Sequence, residues 1–388
     1  MNSMVDDILP DGWENTTIEA TCEVLDRLRK PISQKDRKSG KYPYYGATKI
    51  VDYINDFIFD ERLVLVGEDG AKWESGDKTG FIAEGKYWVN NHAHVLRVDK
   101  DILIDKWLVN FLYVSDLSDY ITGTTVPKLN QAKLKSINFP LPPISEQKRI
   151  VAKIDTLFGK IDKAISLTED SLKQAKNLLP SVLKEVFEKG KTGGWEDKEL
   201  KNIIEKTQNI NPKKSSFDEF TYIDISAVDK ELQEIVYPKI IKSIKAPSRA
   251  KKEIQLNDIV FATTRPNLKN IAIVSKSYEF PIASTGFCVI RSNTETHNRY
   301  LFYYLISDLL QQQIEPYIRG SQYPAISDKD LKSVLIPIPV LREQIQVSVL
   351  FDKISEESKQ TQSKFEEQLT YLKNLKSSIL SKAFAGEL

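Results

Sequence analysis

The stretch YITGTTVPKLNQAKLKSINFPLPPISEQ, residues 120–147, decides the fold because it occurs twice. Residues 317–344 read YIRGSQYPAISDKDLKSVLIPIPVLREQ, and an ungapped comparison at an offset of 197 gives 11 identities in 28 positions. Chance would give about two identities, and the register holds for about 40 residues more, so the chain contains a duplicated module.

Both copies have the same order of parts. Each opens on a Gly-Trp pair, at Trp13 or Trp195, and continues in runs rich in β-branched and aromatic residues that predict strands. An apolar helix follows, predicted over 103–115 and 299–313. Between the tryptophan and the repeated stretch the copies share little identity, and the second is longer by 15 residues. We therefore expect two similar scaffolds that carry different surfaces.

A long helix is predicted to close each copy, from about 145 to 189 and from about 342 to 385. Apolar residues recur at steps of three, four and seven with Lys and Glu between them, which is typical of a coiled-coil seam. About 40 residues at 1.5 Å each make a rod of about 60 Å. Pairing of the two helices is the favoured interpretation, and two separate amphipathic helices are the alternative. Pro180 is expected to kink the first helix near its end.

Composition limits the class of protein. The chain has 388 residues, enough for two or three domains, and 55 Lys+Arg against 54 Asp+Glu give a net charge of +1. This balance excludes a polycation but permits a locally basic groove. No apolar run is long enough to span a membrane, so no membrane contact is expected. Cys22 and Cys288 form no disulfide framework, which favours a reducing cytoplasm.

Sequence motifs for catalysis are missing. There is neither the Asn/Asp-Pro-Pro-aromatic loop of an amino-group methyltransferase nor a phosphate-binding loop. Glu84-Gly-Lys86 fits half of a nuclease metal site, but equivalent triplets elsewhere remove its specificity. His92-Ala-His94 has a spacing compatible with zinc and lacks further ligands, so a structural role is favoured. Gly67-Glu-Asp-Gly70 is interpreted as a turn with solvated acids. We predict a non-catalytic chain without a metal site or a cofactor of its own.

Basic and polar clusters on both copies favour a nucleic-acid groove, because these side chains reach guanine, adenine and phosphate. The strongest clusters are Pro247-Ser-Arg-Ala250 and Thr264-Arg-Pro-Asn267. Arg249, Arg265 and Arg319 are the leading candidates for base or phosphate contacts. The predicted DNA-binding residues are Lys41, Tyr44, Tyr45, Thr122, Thr124, Lys128, Ser248, Arg249, Lys251, Thr264, Arg265, Asn267, Lys269, Arg319, Ser321 and Gln322.

Over essentially its whole length, the chain resembles the specificity subunits of type I restriction-modification systems. The resemblance rests on two duplicated strings, PLPPISEQ at 140–147 and IPIPVLREQ at 336–344. It also rests on APSRA at 246–250, FATTRPN at 261–267 and LSKAFAG at 380–386. Val340-Leu departs from the family, which often has Pro-Leu or Pro-Ile there.

The resemblance implies an α+β fold of two tandem mixed α/β target-recognition domains, each followed by a long conserved helix, with the two helices packing as an antiparallel coiled coil. The implied segments are domain 1 over 1–143, spacer helix 1 over 144–190, domain 2 over 191–340 and spacer helix 2 over 341–388.

The function implied by the resemblance is recognition of a bipartite, asymmetric double-stranded DNA target. Two methyltransferase subunits would dock on the spacer helices and bring S-adenosylmethionine for adenine methylation, and restriction subunits would bring ATP- and magnesium-dependent cleavage. Two rival hypotheses stay open at this stage. One is a single-chain nuclease or methyltransferase, and the other is a coiled-coil interaction scaffold that does not read DNA.

Overall fold

The computed structural model describes residues 9–388, which form two compact units. The first unit comprises Met1–Glu169, described from residue 9 onward, and Glu367–Leu388, and the second comprises Asp170–Glu366. Within residues 9–388, no helix combines the length and hydrophobicity that a membrane span requires.

Eight α-helices lie within residues 9–388. In chain order they are α1 (Ile18–Thr21), α2 (Asp105–Val114), α3 (Gln131–Lys135), α4 (Ile144–Thr192), α5 (Asn298–Ile306), α6 (Asp308–Ile314), α7 (Asp328–Leu331) and α8 (Leu341–Phe384). The single helix predicted over 299–313 is wrong in one respect, because the structure divides it into α5 and α6. Ser307 separates them in an extended conformation, and its hydroxyl accepts a hydrogen bond from Leu310 N as the N-cap of α6.

The strands of the first unit form two four-stranded sheets and one pair. They are β1 (Glu14–Thr17), β2 (Cys22–Val24), β3 (Ser39–Tyr45), β4 (Ile50–Ile54), β5 (Phe59–Asp60), β6 (Leu63–Gly67), β7 (Gly80–Ala83), β8 (Lys86–Val89), β9 (Ala93–Val98) and β10 (Asn138–Leu141). The sheet orders are β2-β9-β6-β7 and β4-β3-β8-β5, and β1 pairs with β10. Only the β3–β8 pairing in this unit is parallel among the described strands.

The second unit repeats this topology. Its strands are β11 (Glu196–Glu199), β12 (Glu219–Ile223), β13 (Val228–Asp229), β14 (Glu234–Ile235), β15 (Lys239–Lys242), β16 (Ala250–Glu253), β17 (Ile259–Ala262), β18 (Ile271–Ile273), β19 (Ile282–Ser284), β20 (Phe287–Ile290) and β21 (Leu335–Ile338). The order β15-β12-β19-β16 matches β4-β3-β8-β5, with the parallel pair in the same place, and β18-β17-β20 matches β7-β6-β9. The prediction of two similar scaffolds is confirmed, and the inserted β13–β14 hairpin supplies part of the extra length of the second copy.

Each long helix begins with a buried glutamine that ties it to the preceding domain. Gln147 accepts a hydrogen bond from Ile104 N (2.9 Å) and donates to Ile102 O (2.8 Å) and Pro142 O (2.9 Å). Gln344 does the same one repeat later, with His297 N, Glu295 O and Pro339 O at 2.8, 3.1 and 2.9 Å. Both side chains are fully buried. The glutamine of the duplicated Glu-Gln string is thus explained by the need to satisfy three equivalent backbone groups in each copy.

The long helices pair in antiparallel fashion within each unit. In the first unit Lys376 of α8 bonds to Asp162 of α4. In the second, Ser358 Oγ donates to Ala175 O (2.7 Å). The bounds predicted from the sequence agree with α4 and α8 to within three residues, and the antiparallel pairing is confirmed. Pro180 lies inside α4, which continues to its end at Thr192.

The far end of each long helix packs into the domain of the other copy. Phe384 of α8 lies 4.5 Å from Trp107 in the first unit, measured between ring centroids, and Phe187 of α4 lies 4.9 Å from Tyr304 in the second. Both phenylalanines are buried. Each compact unit therefore contains one domain, the start of its own helix and the end of the other helix. The four-segment division made from the sequence stays a prediction about modules along the chain.

Candidate nucleic-acid interface

Three loops of the second unit meet at one end of strands β17 and β20. Thr263, which follows β17, donates from its backbone N and its Oγ1 to Gly286 O (2.9 and 3.0 Å). Thr285 N donates to Arg249 O (2.8 Å), and Ile326 N donates to Thr263 O (2.9 Å). These bonds bring together three of the segments predicted to contact nucleic acid, which are 247–250, 263–269 and 319–325. We call them the second loop cluster.

Arg265 has an unusual backbone conformation within the second loop cluster. Its φ of 51° is left-handed, and its N donates to Pro324 O (2.6 Å). Its guanidinium carbon lies 5.3 Å from the centroid of the Tyr323 ring. A left-handed conformation costs a non-glycine residue on the order of 1 kcal/mol, so the surrounding hydrogen bonds must hold it. The loop therefore presents an exposed guanidinium on a fixed backbone, which suits bidentate contact with guanine or phosphate.

Arg249, Arg265 and Arg319 differ from most arginines of the chain because no carboxylate in the described part of the chain, residues 9–388, forms an ion pair with them. Within residues 9–388, every other arginine forms an ion pair except Arg342 at the start of α8. All three are exposed. A cation without an ion-pair partner keeps its attraction for an external anion, so these three guanidiniums are available for binding in the second loop cluster.

The other predicted residues of the second unit differ in availability. Those that are exposed are Ser248, Lys251, Asn267, Ser321 and Gln322. Ser248 and Lys251 line a groove of about 530 Å³. Thr264 is half-buried and forms a β-bridge with Ala325, and Lys269 Nζ bonds to Asp308 Oδ1 (2.7 Å). Lys269 is therefore less free than its neighbours to bind phosphate.

The first unit has a loop that is equivalent to residues 319–325 and lies beside the end of β6. Leu129 N donates to Glu68 O (2.8 Å), as Ile326 N does to Thr263 O one repeat later. Thr122 and Lys128 close the loop through a β-bridge, and Thr124 is exposed near its tip. We call residues 122–128 the first loop.

Two of the predicted side chains in the first loop already have partners in the protein. Thr122 Oγ1 donates to Lys128 O (3.1 Å), and Lys128 Nζ bonds to Glu68 Oε1 (2.8 Å). This hydrogen bond raises the pKa of Lys128 above its usual value. Lys128 is therefore charged but partly engaged.

The remaining predicted residues lie on β3. Tyr44 is buried, with its hydroxyl accepting a hydrogen bond from Ile32 N (2.9 Å). Tyr45 is half-buried, with its ring 5.4 Å from that of Phe81. Lys41 is exposed near the other end of the strand, about 10–15 Å along β3 from Tyr45 at ~3.3 Å per residue. The structure thus gives Tyr44 and Tyr45 packing roles and leaves Lys41 accessible.

Sequence reasoning missed the correspondence between Gly70 and Arg265. Leu129 N donates to Glu68 O as Ile326 N donates to Thr263 O, so Glu68 and Thr263 are equivalent positions of the two repeats. Two residues later, Gly70 (φ 65°) is therefore the equivalent of Arg265 (φ 51°). Both residues have a left-handed backbone conformation. The second unit places an arginine side chain on it, and the first unit has glycine there. The glycine in the first copy was the available signal, because glycine takes this conformation most readily.

The interpretation of Gly67-Glu-Asp-Gly70 as a turn with solvated acids is wrong for Glu68. Glu68 is 7% exposed, and its carboxylate bonds to Arg29 and Lys128. Burial opposes ionisation of Glu68, but the hydrogen bonds from Lys128 and Arg29 outweigh it and lower its pKa. The sequence did not reveal this burial because Arg29 and Lys128, the partners of Glu68, lie far from it along the chain.

The two histidines of His92-Ala-His94 face different partners. His92 precedes β9, is exposed and bonds to Asp69. His94 lies within β9, is fully buried and bonds to Asp26 and to Leu129 O. The structure therefore does not bring the two imidazoles to a common site.

Residues 10–175 and 192–371 match the family described as the type I restriction modification DNA specificity domain. The chain belongs to this family. Its role is recognition of a DNA target, and the duplicated match coincides with the two repeats of the chain.

Individual relatives agree with the family match. The chain is 34% identical over 140 residues, 36% of each protein, to a putative type I restriction enzyme specificity subunit of Haemophilus influenzae. It is 22% identical to the EcoDI specificity subunit of Escherichia coli, over 98% of this chain and 89% of that protein. It is 25% identical to the MjaVIII specificity subunit of Methanocaldococcus jannaschii, over 87% and 84%.

Solved structures support the fold. One, from work on complex assembly and conformational transition of the type I R-M system, superimposes with a TM-score of 0.74 at 20% identity and covers 98% of this chain and 100% of that one. The HsdS subunit of Thermoanaerobacter tengcongensis gives a TM-score of 0.57 at 21% identity, covering 99% of both chains. The expected architecture of two tandem domains with long paired helices is confirmed.

Proposed function

We propose that this type I specificity subunit reads a bipartite, asymmetric double-stranded DNA target, one half with each unit, and performs no chemistry itself. The observation that carries the proposal is the contrast between two topologically equivalent loop systems. The second loop cluster exposes three unpaired arginines, whereas the first loop exposes threonines and a lysine engaged by Glu68. Two similar domains that carry different side chains in equivalent loops would recognise different DNA sequences.

In the second unit, Arg265 is the leading base contact and Arg249 and Arg319 are its neighbours. Arginine can donate two parallel hydrogen bonds to guanine O6 and N7, and asparagine can pair with adenine, so Asn267 is a further candidate. Ser248, Lys251, Ser321 and Gln322 would contact phosphate or base edges beside them.

In the first unit, the contacts would come from Thr122, Thr124 and Lys128 of the first loop, with Lys41 as a separate phosphate contact. Hydroxyl groups bind either bases or phosphate, and the first loop has fewer free cations than the second loop cluster because its Lys128 is engaged by Glu68. We therefore expect the first half-site to depend less steeply on salt than the second.

Partner subunits would supply the catalytic chemistry. A methyltransferase subunit would bring S-adenosylmethionine and the adenine-modifying site, and a restriction subunit would bring ATP- and magnesium-dependent cleavage. A docking surface is available on α8, where Leu341, Ile345 and Val349 are 40%, 42% and 63% exposed. Their spacing of four places them on one helix face, as an apolar interface requires. Two methyltransferase subunits would dock on the long helices, and the paired helices would fix the gap between the half-targets.

The experiment is co-expression of this chain with a methyltransferase subunit encoded beside it, followed by mapping of adenine methylation across host DNA. The expected result is one split motif with two unlike halves and a fixed gap. Methylation that is unchanged when this chain is deleted would contradict the proposal and favour the scaffold hypothesis. Methylation or cleavage by the isolated chain, supplied with S-adenosylmethionine and magnesium, would favour the single-chain enzyme.

A further inference from the structure

The exposed ring of Tyr323 lies beside Arg265 in the second loop cluster. Tyr323 is 68% exposed, and the centroid of its ring lies 5.3 Å from the guanidinium carbon of Arg265. A cation within about 6 Å of an aromatic centroid is attracted by the negative face of the ring. Since the Arg265 guanidinium forms neither an ion pair nor a hydrogen bond within residues 9–388, the Tyr323 ring is the group placed to restrain it.

The backbone segments that carry these two side chains are bonded to each other. Arg265 N donates to the carbonyl oxygen of Pro324 (2.6 Å), the residue directly after Tyr323. The adjoining residues Thr264 and Ala325 form a β-bridge. Two hydrogen-bonded segments thus hold the ring and the guanidinium close together.

A glycine turn sets the backbone position of Tyr323. Gly320 has a left-handed φ of 93°, and a Cβ atom on it would lie 2.9 Å from Tyr323 O. This distance is too short for a side chain, so the turn requires glycine. The first unit has the same turn, because Gly123 has a φ of 92° and a Cβ atom on it would lie 2.4 Å from Val126 O. Tyr323 and Val126 are therefore equivalent residues of the two repeats.

The first unit lacks this pair of side chains. Gly70 is the equivalent of Arg265, and Val126, which is also exposed, is the equivalent of Tyr323. The ring and the cation are thus present together in the second unit and absent together from the first. This is the pattern expected if the ring serves the arginine.

A restrained guanidinium binds a base at a lower entropic cost. Arginine has many rotamers and loses this freedom when it bonds to a base. A ring that already holds the guanidinium removes part of that cost before DNA binds. The contact with the ring face leaves the N–H donors of Arg265 without an acceptor among residues 9–388. They therefore stay available for two parallel hydrogen bonds to guanine O6 and N7.

We infer that Tyr323 is a positioning residue for the second half-site and holds the Arg265 guanidinium for base readout. The inference rests on the proposed function, because that function makes Arg265 a base contact. The ring acts through Arg265 and makes no base contact of its own. Specificity of the second unit thus depends on a pair of side chains from two separate segments of the chain.

The test measures DNA binding by the assembled complex of this chain with its methyltransferase subunit, using fluorescence anisotropy. The probes are the intact target and targets with one base pair of the second half replaced. The base pair read by Arg265 is the one whose replacement weakens binding by the wild-type complex but not by the Arg265→Gly variant. Discrimination is the ratio of the dissociation constants for the replaced and the intact target.

The variants separate positioning of Arg265 from other roles of the ring. Tyr323→Leu should lower discrimination at this base pair about threefold, the size of an exposed cation–π contact, and Tyr323→Phe should retain it because phenylalanine keeps the ring. In the Arg265→Gly background, Tyr323→Leu should have no further effect on binding. Thermal unfolding of both Tyr323 variants should match that of the wild type, because the side chain is exposed. The matched control is Tyr371→Leu, 65% exposed on α8, which should leave discrimination unchanged.

The inference is overturned if Tyr323→Leu discriminates as well as the wild type, or if Tyr323→Phe loses as much as Tyr323→Leu and so assigns the effect to the hydroxyl. A further loss on Tyr323→Leu in the Arg265→Gly background would also overturn it, by making Tyr323 an independent DNA contact. If no base pair meets the criterion for Arg265, the inference fails while the split target stands. A wild-type complex that discriminates neither half-target overturns the proposed function as well, so the two failures can be told apart.

Discussion

At the scale of single residues, Arg265 shows how a backbone conformation exposes a charged side chain. The string Thr264-Arg-Pro-Asn267 marked it as a candidate, since arginine and asparagine beside threonine are residues that reach bases and phosphate. The left-handed φ of 51° and the neighbouring Tyr323 ring were not visible in the string. They come from hydrogen bonding to the segment 319–325, which lies more than fifty residues later in the chain.

We predict that Arg265→Gly keeps the fold and removes second-half recognition. Glycine adopts the left-handed conformation without strain and reproduces Gly70, the equivalent residue of the first unit. Binding to the intact target should weaken by about 1–3 kcal/mol, and binding to a target with a scrambled second half should be unchanged. Fluorescence anisotropy on the assembled complex, with thermal unfolding as a check of the fold, measures both effects.

The matched control for Arg265 is Lys276→Ala, an exposed cation that follows β18. Because β18 runs antiparallel to β17, Lys276 lies at the opposite end of the sheet from Arg265. It should have little effect on binding. Arg265→Lys distinguishes the two roles of the side chain, because lysine keeps the charge and loses the bidentate fork. Equal weakening on every sequence would contradict base readout and leave Arg265 as a phosphate clamp.

At the scale of elements, the buried glutamines explain why each long helix begins where it does. Helix periodicity predicted the helices, but it does not specify a fixed start. Gln147 and Gln344 satisfy backbone groups of the preceding loop and of the Pro-x-Pro strand, so each helix is attached to its domain by hydrogen bonds as well as by apolar packing. The string was visible in the sequence as a repeat, whereas its partners were visible only in the fold.

We predict that Gln147→Leu destabilises the first unit by about 2–4 kcal/mol. Leucine has a similar volume but leaves Ile104 N, Ile102 O and Pro142 O without their buried partners. Denaturant unfolding monitored by tryptophan fluorescence measures the loss. Lys148→Ala, at the exposed neighbouring position, should change stability by less than about 0.5 kcal/mol. Equal stability of Gln147→Leu and Lys148→Ala would show that apolar packing alone sets the helix start.

At the scale of the whole molecule, the compact units do not follow the order of the repeats. The last turns of α8 complete the core of the first unit, where Leu380, Ala383 and Phe384 are buried. The corresponding turns of α4 complete the core of the second, through Leu183 and Phe187. The end of each long helix therefore buries an apolar surface on the domain of the other copy, which that copy does not bury with its own helix.

We predict that Phe384→Ala destabilises the domain of the first unit, and not the domain of the second unit that directly precedes α8 in the chain. Truncating a buried phenylalanine costs about 3–5 kcal/mol, and its ring contacts Trp107 and Phe111 of α2. Hydrogen exchange read by mass spectrometry should show faster exchange in α2 and unchanged exchange in α5. Phe187→Ala should show the reverse, and Tyr371→Ala, 65% exposed on α8, should show neither. Faster hydrogen exchange in α5 of the Phe384→Ala variant would contradict the packing of the end of α8 in the first unit.

The sequence by itself determined the duplication, the long helices and the family, because these depend on periodicity and on strings that recur at a fixed offset. It also indicated the loops of the second unit, where basic residues cluster within short segments. Only the tertiary structure decided that strand topology repeats where identity is lost, since backbone hydrogen bonds tolerate many side chains. It alone showed that Glu68 is buried in an ion cluster with His94 and that Tyr44 is packed inward. Burial and ion pairing depend on residues that lie far apart along the chain and meet only after folding.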